Sequence, residues 1–175
     1  DIKKGELKRL SYSNSQRALF LDRDNTINFC SEGSYIIENC QVKLYKKRIE
    51  KISQLAKNFE QTILITNQPQ ISMGKVSWQK VIEINGEIIT RCQDSGLDIS
   101  SFYLCPHHPH SGFIEEIKEL KTFCFCRKPF PGLFLEASYQ RNIDLSNSLM
   151  IGDSWRDEEA SKILGMKFIN IKSLD

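Results

Sequence analysis

Three short polar segments hold most of the side chains that could do chemistry. Asp22-Arg23-Asp24-Asn25-Thr26 follows the apolar run Ala18-Leu19-Phe20-Leu21. Thr66-Asn67-Gln68 ends the β-branched run that begins at Thr62, and Gly152-Asp153-Ser154-Trp155-Arg156-Asp157 follows Ser148-Leu149-Met150-Ile151. Residues i and i+2 of an extended segment point the same way, so Asp22 and Asp24 are expected to face one site. Two carboxylates in one pocket repel unless a cation neutralises them or one is protonated. Asp153, arriving from another strand, adds a third. Such a set of oxygens fits a hard cation, Mg2+, which keeps waters and ligates a substrate phosphate. Asn25 sits where the backbone must turn sharply, and Asn tolerates left-handed conformations. The bland alternative is that Asp-rich strand ends are loops and helix caps. A lone Asp-x-Asp carries little weight; its recurrence beside Thr-Asn and Gly-Asp at other strand ends makes the pattern specific.

A second concentration runs from Cys105-Pro106-His107-His108-Pro109-His110 to Cys124-Phe125-Cys126, and it holds all three histidines and three of the six cysteines. Cys30, Cys40 and Cys92 are scattered. Cys105 with His107, and Cys124 with Cys126, form two pairs, each able to clamp one face of a tetrahedral ion. Cys3His is a standard structural zinc set, and once filled it leaves no open position for catalysis. Free buried thiols or a Cys105–Cys124 disulfide are the alternatives, and neither accounts for the gathered histidines. His108 and His110 stand as alternative ligands or as residues that meet substrate. Thiols grouped with imidazoles suit a reducing, cytoplasmic compartment better than a secreted disulfide framework.

These residues need elements to position them. Four apolar runs, at Ala18–Leu21, Thr62–Thr66, Ile99–Leu104 and Ser148–Ile151, predict strands, and Lys167–Ile171 predicts a fifth. Helical spacing predicts helices over Leu44–Phe59, Ser77–Cys92, Pro131–Arg141 and Asp157–Leu164. In the second of these, Trp78, Val81, Ile82, Ile88, Ile89 and Cys92 are placed on one apolar stripe. Alternating strands and helices imply right-handed βαβ units. The expected fold is therefore α/β, a Rossmann-like doubly wound parallel sheet whose ligands bind beyond the carboxyl ends of the strands. Residues 17–175 read as one domain and residues 1–16 as a polar arm or linker.

Composition limits the partners. The 175 residues carry 24 basic and 22 acidic side chains, a formal charge of +2, which argues against a nucleic-acid partner. Lys43, Lys46, Lys47, Arg48 and Lys51 read as a solvated helix face. No apolar run approaches the roughly 20 residues of a membrane span, and the first residues carry no signal-peptide pattern. Trp155, between Asp153 and Asp157, reads as a packing residue, with a substrate-facing role as the alternative.

The strand-end motifs together resemble the haloacid dehalogenase-like phosphatase superfamily, over Ala18 to Ile171. Its first motif matches Phe20 to Thr26, its second Thr66, its third Lys128, and its fourth Asp153 and Asp157. Asn25 stands where many members have Gly. The resemblance implies that Asp22 attacks phosphorus and forms an aspartyl-phosphate. Asp24 would protonate the leaving oxygen and then deprotonate water. Thr66 and Lys128 would hold phosphoryl oxygens, and Mg2+ would sit on Asp22, the backbone carbonyl of Asp24, and Asp153.

Cys105-Pro106-His107 and Cys124-Phe125-Cys126-Arg127-Lys128-Pro129 further resemble the branch of heptose 1,7-bisphosphate phosphatases and histidinol-phosphate phosphatase domains, as does Thr66-Asn67-Gln68. That branch binds zinc with the corresponding Cys and His residues. The resemblance implies a small phosphorylated sugar substrate, most simply heptose 1,7-bisphosphate losing its 7-phosphate, with histidinol phosphate as the rival. Asn25, Thr26, Asn67, Gln68 and Arg127 would bind it, Arg127 clamping a second phosphate. A binding module that has lost catalysis is the alternative of another class. Two departures stand out. Met73 occupies a position where the branch commonly has Arg, and the stretch from His110 to Cys124 is longer. The longer loop is similar to domains fused to sugar nucleotidyltransferases, and the polar arm would suit such a linker. Neither Thr26–Lys43 nor Asn67–Arg127 leaves room for a cap domain, so a capless enzyme is expected.

Overall fold

A computed structural model describes residues 15–31, 33–110 and 112–175. Five strands, β1 (Ala18–Leu21), β2 (Gln61–Asn67), β3 (Ser101–Cys105), β4 (Leu149–Gly152) and β5 (Lys167–Asn170), form one sheet in the order β3-β2-β1-β4-β5. Every neighbouring pair is parallel. Four helices alternate with them: α1 (Lys46–Ala56), α2 (Trp78–Asp94), α3 (Gly132–Arg141) and α4 (Trp155–Ile163). The expected doubly wound α/β fold is the observed one.

Strand alternation sorts the core into two layers. Leu19, Leu21, Leu64 and Ile151 pack against Ile49 and Ile52 of α1 and Ile84 and Ile88 of α2. Phe20, Ile63, Ile65 and Met150 face the other way, onto Phe134 and Ala137 of α3 and Ala160 of α4. Phe20 and Phe134 meet edge to face at 5.2 Å. Each such side chain contributes about 1.5–3 kcal/mol by leaving water. With both faces covered, β1, β2 and β4 read as continuous apolar runs, whereas the edge strands β3 and β5 are only partly buried.

Helix ends follow local chemistry. The Ser77 side chain accepts from the Lys80 amide at 3.1 Å and starts α2. Ser154 and Asp157 form a capping box that starts α4 two residues earlier than expected. Pro131 lies just outside the first turn of α3 rather than within it, and Asn142, left-handed at φ 54°, ends that helix.

Three expectations change. Trp78 is 47% exposed, and the buried stripe of α2 runs through Val81, Ile84, Asn85, Ile88 and Cys92. Arg48 and Lys51 do not simply face solvent. Arg48 binds the Asn25 carbonyl at 2.6 Å and Asp175 at 2.6 Å, and Lys51 binds the Leu174 carbonyl, so the pair ties the chain's last residues to α1. Most of the expected arm lies outside the described residues, but Gln16 is paired with the backbone of Asn142 and Asp144 at 2.9 Å.

No cap-sized element interrupts the connections at the carboxyl edge among the described residues. The long segment after β3 instead packs on the turn after β2. Ile117 donates to the Ser72 carbonyl at 2.9 Å. Gly74, at φ 72°, lies so close to Glu115 that a Cβ there would fall 1.8 Å from its carbonyl oxygen. Met73, between Ser72 and Gly74, is buried. Among the described residues no helix is long and apolar enough to cross a membrane.

Candidate active site

The sheet changes direction at β1. The chain winds outward through β2 and β3, then returns to add β4 and β5 on the other side. A crevice therefore opens beyond the carboxyl ends of β1 and β4. Asp22 stands at the first of these ends, its amide bonded to the Ile151 carbonyl at 2.9 Å. Asp153 follows the second. The cleft above them has a volume of about 480 Å3 and is lined by Asp22, Asn25, Tyr35, Thr66, Arg127 and Asp153 among others.

Lys128 lies at the floor. It is 3% exposed, and its Nζ donates to Asp22 Oδ1 at 2.6 Å, Asp157 Oδ1 at 2.5 Å and the Ile65 carbonyl at 2.9 Å. Burial opposes its charge, but Asp157 and Asp22 outweigh that and raise its pKa, so it stays an ammonium. Burial pushes the Asp22 carboxyl up to about 7, despite the opposing pull of Lys128. Asp153 is raised too, by burial and then by Asp157. Carboxylate oxygens of Asp22, Asp153 and Asp157 lie within 4.8 Å of one another. Three carboxylates against one ammonium leave two negative charges, which a divalent cation with oxygen ligands would balance. Asp157 already accepts from Lys128 and from the Ser154 hydroxyl at 2.6 Å, so Asp22 and Asp153 are the oxygens best placed for it.

As expected, Asp22 and Asp24 line one cleft, but the Asp24 side chain lies apart from the Asp22, Asp153 and Asp157 cluster. The Asp24 carboxylate is held to one side. It accepts from Arg23 Nη2 at 2.8 and 2.9 Å, Asn28 Nδ2 at 2.9 Å and Gln68 Nε2 at 3.0 Å. The cause is Arg23, which is wholly buried and must have a counter-charge. Its other terminal nitrogen donates to Asn85 Oδ1 at 2.9 Å.

The other expected residues divide. Asn25, at φ 60°, makes the sharp turn, and its side chain accepts from the Cys30 amide at 3.0 Å. Thr66, next to last in β2, meets the cleft, with Gln68 Nε2 on its hydroxyl at 2.8 Å. Asn67 grips the backbone of Lys128 in both directions, donating at 3.1 Å and accepting at 3.0 Å. It is a brace for Lys128 as well as part of the wall. Thr26 and Gln68 are fully buried and lie beneath the cleft, supporting it rather than facing a ligand. Arg127 lines the cleft, steadied by a bond to the His107 carbonyl at 3.1 Å. Burial holds its guanidinium below the ordinary range. The sequence reading misses Arg23, Asn85 and Tyr35. Asn85 leaves one signal, a polar residue on an apolar helical stripe.

The cysteine–histidine pairs converge as expected. Cys105, Cys124 and Cys126 place their sulfurs 3.2–3.4 Å apart, and His107 Nδ1 lies 3.5–3.6 Å from two of them. All six cysteines are free thiols. The Cys126 thiol is held down to about 5, first by its hydrogen bond with Cys105, while Cys105 is pushed up, first by that same bond and then by burial. Crowded sulfurs that resist sharing negative charge have the donor chemistry of a thiolate metal site. His108 and His110 stand outside it, stacked edge to face at 5.1 Å.

Comparison with known proteins agrees with this geometry. A family model described as HAD-hydrolase-like matches residues 125–173. The D-glycero-β-D-manno-heptose-1,7-bisphosphate 7-phosphatase of Vibrio cholerae is 34% identical over 149 residues, covering 85% of this chain and 77% of that protein. The enzyme of the same name from Photorhabdus laumondii is 35% identical, covering 83% and 74%. The chain belongs to the heptose-bisphosphatase branch of the haloacid dehalogenase-like hydrolases. Among solved structures, a HAD-like phosphatase from Mesorhizobium loti superposes with a TM-score of 0.77 at 27% identity, covering 87% of this chain and 70% of that one. A heptose 1,7-bisphosphate phosphatase from B. bronchiseptica, solved with magnesium and phosphate, shares the fold with a TM-score of 0.71 at 24% identity, covering 87% and 78%. This phosphatase has the Asp-x-Asp, Thr, Lys and Gly-Asp residues at one sheet edge.

Proposed function

We propose that this phosphatase removes the 7-phosphate of D-glycero-D-manno-heptose 1,7-bisphosphate. The buried Asp22–Lys128–Asp157 ion triad, with Asp153 beside it at the sheet's switch point, carries the reading. The similarity to heptose-bisphosphate phosphatases supports the substrate. Asp22 is the nucleophile: its buried oxygen forms the bond to phosphorus as the sugar oxygen leaves, giving an aspartyl-phosphate. Asp24 supplies the proton to the leaving oxygen and later takes one from water, released for this from the donors that hold it. Thr66 and Lys128 bind phosphoryl oxygens, and Lys128 keeps its charge through the triad. Arg127, on the cleft wall, meets the second phosphate.

The donor sets fit two metals. Asp22, Asp153 and the Asp24 carbonyl would hold Mg2+, which neutralises phosphoryl charge when bound. Cys105, His107, Cys124 and Cys126 would hold Zn2+ and fix the segment that delivers Arg127 and Lys128. We assign residues 17–175 to one catalytic domain working in a reducing, cytoplasmic setting. Residues 1–16 are assigned as a linker suited to fusion with a sugar nucleotidyltransferase.

The test is Mg2+-dependent phosphate release from heptose 1,7-bisphosphate, beside histidinol phosphate. Asp22→Asn is expected to abolish release while the thermal transition survives. Turnover by that variant at the parent rate refutes the nucleophile, and preference for histidinol phosphate refutes the substrate.

A further inference from the structure

The catalytic cleft does not end at Arg127. A second hollow of about 330 Å3 adjoins it, and the two share His108, Arg127, Lys128 and Arg156 as a common wall. Its far side is aromatic. Phe123 and Phe130 stand edge to face at 4.8 Å, with Trp155 also on the lining. Phe123 is 69% and Trp155 60% exposed, an unusual display of apolar ring beside a phosphate site. Thr122 and His110 add polar groups to the lining, between Pro109 and Pro129. The Arg156 guanidinium lies 5.0 Å over the Trp155 ring. Neither Arg127 nor Arg156 has a carboxylate partner among the described residues, whereas Arg17, Arg23, Arg48 and Arg91 each pair with one and Arg141 is bonded to Gln61 instead.

Two unneutralised guanidinium groups between a phosphate cleft and an amphipathic slot define a ligand. It carries one anion at Asp22 and a second at the arginines, joined by a body with a polar edge and an apolar face. A sugar ring with phosphates at both ends has that form. We propose that Arg156 and Trp155 complete a distal subsite, Arg156 holding the second phosphate together with Arg127, and Trp155 packing on the C–H face of the sugar. The substrate class, a sugar bisphosphate, rests on the function proposed above. The role of Arg156 and Trp155 rests on the hollow itself. Met73 is buried and lines neither hollow, so it supplies no charge to the ligand.

Binding and turnover separate the two readings. Affinities of heptose 1,7-bisphosphate and heptose 7-phosphate are measured by calorimetry on the full chain carrying Asp22→Asn. Adding Arg156→Gln is expected to reduce the preference for the bisphosphate by about tenfold or more, the loss of a charge-assisted fork to phosphate. Arg156→Lys, which keeps the charge and loses the fork, is expected to restore part of it. Trp155→Ala is expected to weaken both esters by a similar factor, because the ring meets the sugar common to them. Both side chains are exposed, and a thermal melt checks that each variant folds. An unchanged preference in Arg156→Gln overturns the proposal, as does tighter binding of adenosine 3′,5′-bisphosphate than of the sugar ester. Phosphate release by the chain with Asp22 intact tests the phosphatase reading by itself. Failure there, with the binding preference still governed by Arg156, would remove the reaction and leave the subsite standing.

Discussion

Arg23 has no place in a reading of the site by motif, yet much of the site's geometry depends on it. Its guanidinium is wholly buried between Asp24 and Asn85. An arginine so placed is tolerable only while its fork is filled. The two oxygens of Asp24 and the amide oxygen of Asn85 fill it, which fixes where the Asp24 carboxylate waits before reaction. Arg23→Met would leave Asp24 with only Asn28 and Gln68 and would strand the Asn85 oxygen. The expected cost is about 2–3 kcal/mol in urea unfolding, below the full penalty for a broken buried pair because Asp24 is partly exposed. Turnover should fall as well, since the proposed acid is no longer held in place on the cleft wall. A variant with parent stability and parent turnover would show Arg23 to be filler. The sequence conceals this partnership because Asn85 lies 62 residues away, on a helix whose spacing reports only which face is buried. Asp24 shows the same limit: the i, i+2 rule gives its side of the strand but not the buried cation that draws its carboxylate aside.

At the scale of elements, strand ends are legible and contacts between elements are not. Continuous apolar runs followed by polar residues mark the strands, and parallel packing does the rest, bringing Asp22, Thr66 and Asp153 to one edge. What the pattern does not carry is how tightly β4 and α4 are stacked. A Cβ at Gly152 would lie 2.5 Å from the Asp157 Cγ, so the Gly of Gly-Asp is there to let Asp157 reach Lys128. Gly152→Ala is expected to push Asp157 off Lys128, lower stability by about 1–3 kcal/mol, and cut turnover severely. Comparison with Asp157→Asn separates steric displacement from loss of charge. The segment after β3 makes a parallel case. Gly132 at the start of α3 lies against the Phe125 carbonyl, 2.5 Å from an added Cβ, so the proposed zinc pairs are seated directly on the helix that follows Lys128. Metal analysis should find one zinc per chain. Its removal by a thiol-directed mercurial is expected to abolish turnover while far-ultraviolet circular dichroism persists, because Cys105, at the very end of β3, is the one ligand that belongs to the sheet. Loss of the sheet signal along with activity would make the ion part of the core.

For the whole molecule, the decisive quantity is where charge is concentrated. A formal +2 over 175 residues hides three carboxylates gathered at one point by the convergence of strand ends, with one ammonium among them. Without a cation, burial holds the Asp22 carboxyl at about 7 and raises Asp153 as well. Both values lie above those of the unfolded chain, so the native state keeps a proton that the unfolded chain has lost. The stability from that proton is complete below the unfolded value near 3.8 and is lost as pH rises through about 7. Lys128 is shifted upward and stays charged throughout this window, so it does not reverse the sign. Mg2+ and the proton then compete for the same oxygens. The increment in thermal midpoint produced by saturating Mg2+ should therefore be small near pH 5.5 and larger near pH 8, by about 2–4 °C for each kcal/mol of difference in a domain of this size. Taking the increment at each pH, with and without Mg2+, cancels every group remote from the ion. Calorimetry in buffers of different ionisation enthalpy should show protons released on Mg2+ binding below pH 7 and few above it. An increment that stays constant across this range would mean that the acids are already ionised without the metal, and that the cation is held by something other than the buried carboxylates of Asp22 and Asp153.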